Sequence, residues 1–183
     1  MRMILRLIQR LVERKVRVSV DYLGRLGEIS FPGFLKLVLS LPLASHRAKS
    51  DPILLHAVRI VATQHEDCAS CLQMAVNVAR DEGMGSQTVQ TVLSRDYPHM
   101  SDSVALVVKF ADGVLARDGS EEAVRHEIET RFGTTVLAEL ALAIAGARVF
   151  PTVKRGLGFA AACSSANSEL GFRTSSMQAE RVV

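Results

Sequence analysis

Two cysteines separated by two residues, Cys68-Ala-Ser-Cys71, carry the clearest chemical potential in this chain. A pair so spaced at the start of a helix sets both sulfurs on one face, one turn apart. There the unpaired backbone N–H groups and the helix dipole favour thiolate over thiol. The thiolate is the attacking form. With a second cysteine in reach, a sulfenic acid or mixed disulfide formed on one sulfur is resolved by the other, closing a two-electron cycle. The pattern predicts peroxide reduction or disulfide exchange. The same residues also read as half of a zinc site or as two incidental buried thiols. Zinc demands four ligands, and although His65 is near, no second Cys/His pair follows at zinc-finger spacing, so neither a metal nor a cofactor is expected. Incidental burial stays open because free cysteine is among the most buried residue types.

The rest of the composition narrows the setting. The chain has 183 residues, 48% hydrophobic and 22% charged, the size of about one domain. Its formal charge of +3 is unevenly spread: residues 1–20 carry six bases and one acid, a net +5, and the other 163 residues carry −2. A basic segment rather than a basic protein argues against a general nucleic-acid surface. Three cysteines cannot all pair within one chain, and with two of them in a CxxC a secreted disulfide framework is excluded. The longest apolar run, Val136 to Phe150, is interrupted by Glu139 and Arg148 and falls short of the roughly 20 residues of a spanning helix. No membrane span and no signal peptide are predicted, and a reducing cytoplasm is the expected compartment.

Helices must position the dithiol. At 100° per residue, Ile4, Leu7, Ile8, Leu11 and Val12 share one side of a helix and Arg2, Arg6, Arg10 and Arg14 the other. This basic amphipathic extension is expected to pack on the domain or a partner subunit, or to lie on an anionic membrane surface. Gly24, Gly27, Pro32 and Gly33 mark a linker, so residues 1–32 read as extension and linker. From residue 33 the period is helical almost throughout: Phe34 to Leu41; a helix opened by Pro52 with Asp51 or Ser50 as cap; a CxxC helix ending at Gly83; and a short one after Ser86. Arg95 to Met100 reads as a loop. Ser101 or Ser103, Ser120 and Thr134 or Thr135 then cap three more, the last kinked or ended at Pro151 and continued to about Ala162. No alternating runs flanked by hairpin turns occur. The expected class is all-α, a compact bundle of about seven or eight helices over residues 33–163, followed by a polar tail at 164–183. Arg148, Lys154 and Arg155 read as a solvated helix face, Arg80, Asp81 and Glu82 as solvent contacts at a helix end, and Cys163 as a small buried hydrophobe.

The run from His56 through Cys68-Ala-Ser-Cys71 to Gly83, then Leu106–Ala116 (LVVKFADGVLA) and Leu137–Phe150 (LAELALAIAGARVF), resembles the carboxymuconolactone decarboxylase and alkyl hydroperoxidase D-like family (AhpD-like) over roughly residues 33 to 162. The resemblance implies an all-α bundle assembling as a homo-oligomer, a trimer or hexamer, whose CxxC branch reduces peroxides. By motif position it makes Cys71 the peroxide-attacking thiol and Cys68 its disulfide partner. The family's proton relay uses a glutamate twelve residues before the first cysteine and a histidine four residues after the second; here those positions hold His56 and Ala75. Base assistance commonly contributes 10²–10⁴-fold to a proton-transfer step, so the departure bears on rate. His56 could substitute, since an imidazole both accepts and returns a proton near neutrality. His65 and Glu66, immediately before the motif, are the alternatives, Glu66 as proton acceptor or helix-start residue.

The expected function is a thiol-dependent antioxidant oxidoreductase acting on a hydroperoxide or small disulfide and reduced by an external dithiol. The alternatives are a non-enzymatic or redox-sensing oligomeric scaffold with a vestigial dithiol, and a carboxymuconolactone decarboxylase-type lyase.

Overall fold

The structure, a computed structural model, describes residues 9, 10, 12–14 and 16–159. Among these residues it is all-helical and has no strand: α1 Asp21–Ile29, α2 Phe31–Leu39, α3 Leu41–Ala44, α4 Pro52–His65, α5 Ala69–Asp81, α6 Ser86–Ser94, a single 3-10 turn Tyr97–His99, α7 Asp102–Ala116, α8 Glu121–Phe132 and α9 Thr134–Gly156. Residues 9, 10, 12–14 and 16 are helical as well. Much of the amphipathic extension, the polar tail and Cys163 lie outside the described residues.

Helix α4 is the axis. It runs antiparallel to α5 across a tight turn and packs against both α7 and α9. Leu55, Ala57, Val58, Ile60, Val61 and Ala62 are all at or below 1% exposure, so α4 is apolar nearly all round, as a helix enclosed by others must be. Its start follows from Pro52 in the first turn and Asp51 as cap, whose carboxylate accepts from the Ile53 N–H at 2.8 Å. Ser101 caps α7 in the same way, accepting from Val104.

Two expectations change. The stretch expected as linker forms α1 and the start of α2. Gly24 and Gly27 lie inside α1, and Ser30 caps α2 with Pro32 in its first turn, where the absent proline N–H costs nothing. Local glycine and proline signals were outweighed by burial of Tyr22 and Phe34. The long C-terminal helix, expected to kink or end at Pro151 with a further segment to about Ala162, runs as one helix through Pro151 to Gly156.

Helix α9 is long and apolar enough to cross a membrane by length and composition. One face of it, with Val136, Leu140, Ala143 and Ile144, packs in the core. Its buried Glu139 accepts hydrogen bonds from the N–H groups of Ala48, Lys49 and Ser50 at 2.8, 3.0 and 2.9 Å, closing the turn before α4. Burial alone would raise the Glu139 pKa. The hydrogen bonds from Ser50, Ala48 and Lys49 outweigh it and hold the carboxyl at about 2.

Candidate functional site

Cys68 is the N-cap residue of α5 and Cys71 lies in its first turn, so both sulfurs stand at the positive end of the helix. Both are thiols, 3% and 5% exposed, in a small buried cluster apart from the main core. Three helices meet beside Cys71: Arg59 and Thr63 come from α4, Met74 and Ala75 from α5, and Ala147 and Pro151, at i and i+4, from α9. Between them lies a cavity of about 120 Å³ lined by Arg59, Thr63, Cys71, Met74, Ala75, Ala147, Phe150 and Pro151, among others. Ala75 leaves a methyl on that wall. Pro151 has no N–H to give the Ala147 carbonyl one turn back, so α9 presents an altered backbone at the cavity.

Behind the cavity a polar chain reaches the first cysteine. Lys154, only 5% exposed, donates from Nζ to Ser70 Oγ at 2.5 Å, and Ser70 Oγ stands 3.7 Å from Cys68 Sγ. A cation held there stabilises negative charge on Cys68 through the hydroxyl. The expectation of a solvated face at Arg148, Lys154 and Arg155 is therefore corrected. Lys154 is buried in the site, Arg148 donates from Nε to the Glu66 carboxylate, and Arg155, itself exposed, donates to the Glu66 carbonyl oxygen. Glu66 is thus the clamp that ties α9 to the turn before the CxxC, with its carboxylate engaged by Arg148 rather than open to take a proton from the thiols.

The two histidines are not brought to the dithiol. His65, the last residue of α4, is exposed. His56 is 2% exposed, but its Nε2 meets Glu82 Oε2 at 3.1 Å at the far end of α5, eleven residues and therefore about 16 Å along the helix from Cys71. Burial lowers its pKa, Arg59 and Arg47 lower it further, and the Glu82 contact opposes them only in part. Glu82, expected as a solvent contact, is the partner of this buried ring, and Asp81 pairs with Arg17 at 3.0 Å.

Sequence reasoning missed two further neighbours. Tyr22 of α1 is 4% exposed, and its phenol is raised well above its ordinary pKa by burial first and then by the nearby charges of Cys71 and Cys68. Tyr22 thus lies within electrostatic reach of both thiols. Asp67, immediately before the motif, sits in the left-handed region at φ 56° with Oδ1 buried and without a hydrogen-bond partner. Strain and an unsatisfied buried oxygen at one residue are features that cluster at functional sites. No group of three or more His, Cys, Asp or Glu side chains among the described residues could hold a metal ion. The chain matches no protein-family model, no curated protein and no solved structure.

Proposed function

We propose that the protein is a thiol-dependent oxidoreductase of the AhpD-like kind, which reduces a hydroperoxide at Cys71 and is recycled by an external dithiol. One observation carries the reading: Cys71 opens on a cavity while Cys68, behind it, is linked through Ser70 to the buried Lys154. The two thiols thereby receive different roles. The Cys71 thiolate attacks the terminal oxygen of the hydroperoxide, the O–O bond breaks, and a sulfenic acid forms on Cys71. The departing alkoxide takes the proton of the Cys68 thiol and leaves as the alcohol, and Lys154, acting through Ser70, stabilises the Cys68 thiolate left behind. The Cys68 thiolate then attacks the Cys71 sulfur, and the S–O bond breaks. Hydroxide leaves as water with the proton that Cys71 released to solvent on ionising, and the disulfide holds the two oxidising equivalents until an external dithiol removes them. In this scheme Lys154 is a positioning residue that acts on Cys68 through Ser70.

Stopped-flow consumption of an alkyl hydroperoxide tests the assignment. Wild type should turn over with a dithiol, Cys71→Ser should be inactive, and Cys68→Ser should react once and stop at the sulfenic acid. Equal and negligible consumption by wild type and Cys71→Ser would falsify it.

A further inference from the structure

Helix α2 is apolar on both sides. Phe34 and Val38 face inward and, with Leu41, help line a second cavity of about 130 Å³. Phe31, Leu35, Leu39 and Leu43 recur every four residues along α2 and α3 and are 41%, 47%, 66% and 50% exposed. Ile29 and Leu41, at 59% and 47%, broaden the strip. Isolated exposed leucines are ordinary, but a continuous strip of six large side chains marks an interaction surface.

The surrounding charge identifies what covers it. Residues 1–50 hold ten bases and three acids, a net +7, whereas residues 51–183 carry −4. Arg25, Lys36, Arg47 and Lys49 are exposed between α1 and the turn before α4, against two exposed acids of α1, Asp21 and Glu28, the latter 3.8 Å from Arg25. Residues 1–20 add a sequence with arginines opposite an apolar face. An apolar strip bordered by bases matches the interface of an anionic bilayer, with leucines at the acyl boundary and bases at the headgroups. Two copies meeting face to face would oppose two segments of +7.

We infer that the α1–α3 face, with the basic segment before it, docks on an anionic lipid surface. The test is co-sedimentation of the full chain with vesicles of one part phosphatidylglycerol to two parts phosphatidylcholine, and with phosphatidylcholine alone. Sedimentation velocity without lipid accompanies it. The chain should bind the anionic vesicles, release them at high salt and ignore the neutral ones. Each base near such a surface is worth roughly fivefold in affinity, so Lys36→Glu/Lys49→Glu should weaken binding by at least about tenfold. Leu35→Glu/Leu39→Glu, which alters exposed positions, should do the same with unchanged circular dichroism and sedimentation coefficient. If the leucine variant fails to fold, the lysine variant decides. Failure of wild type to bind anionic vesicles overturns the inference. So does an oligomer that Leu35→Glu/Leu39→Glu dissociates while vesicle binding persists, since a second copy would then cover the strip.

Discussion

Replacing Lys154 by methionine keeps the length of the side chain and removes its charge from beside Ser70. The two contacts in series, 2.5 Å and 3.7 Å, put Nζ no more than 6.2 Å from Cys68 Sγ. Two unit charges about 6 Å apart at an effective dielectric of about 20 interact by about 2.7 kcal/mol. The variant recovers part of that interaction, because water enters beside the methionine. Half of it, about 1.4 kcal/mol, is a factor of about ten in the thiolate population. In a Cys71→Ser background, where only the Cys68 thiol of the site reacts, iodoacetamide alkylation near neutrality should therefore slow by about tenfold to a hundredfold. The pH midpoint of the alkylation rate should move upward, and Lys154→Arg should restore most of the rate. A purely structural lysine would change the accessibility of the thiol and so scale the rate equally at every pH. A profile that keeps its midpoint while its amplitude falls would refute the argument that charge reaches Cys68 through Ser70.

Other outcomes follow from the buried titratable groups. Glu139→Gln removes the charge that three backbone N–H groups address, and hydrogen bonds to a charged group are worth about 1.5–3 kcal/mol, so the urea midpoint should fall by that order of stability. Because the folded Glu139 pKa of about 2 lies below that of an unfolded glutamate, its contribution is fully present above about pH 4.5. It should fade as pH falls toward 2, and the Gln variant should lose less stability over that window. His56 is likewise lowered on folding, so the unfolded chain binds its proton first, and stability should decline as pH falls below about 6.5. His56→Phe should flatten that slope in denaturant titrations between neutrality and mild acid.

What could be read from the residues alone was local. Asp51 before Pro52 and Ser101 before Asp102 announced helix starts because a cap acts within three residues, and the CxxC announced its own chemistry because both sulfurs belong to one turn. The partners of that turn were not legible. Lys154 meets Ser70 across 84 residues of chain and Arg148 meets Glu66 across 82, distances at which no local pattern carries information. A usable signal did exist: Lys154 recurs with Ala147 and Pro151 on one stripe of α9, placing a base on the side of the helix that turns inward. His56 misled in the opposite way. Its offset from Cys68 matched a relay position, yet antiparallel packing of α4 on α5 carries it to Glu82 at the other end of the pair. The glycines at 24 and 27 suggested a linker because their weak helix propensity is visible in sequence, while the packing of Tyr22 beside the thiols is not.

The most direct test of the account is intact-mass and peptide-mapping analysis of the reduced full chain after one equivalent of an alkyl hydroperoxide. The account predicts loss of the two thiol hydrogens, a Cys68–Cys71 cross-link and one equivalent of alcohol, with Cys71→Ser unmodified at Cys68. Alcohol formation without the cross-link, or a chain whose mass never changes, would contradict it.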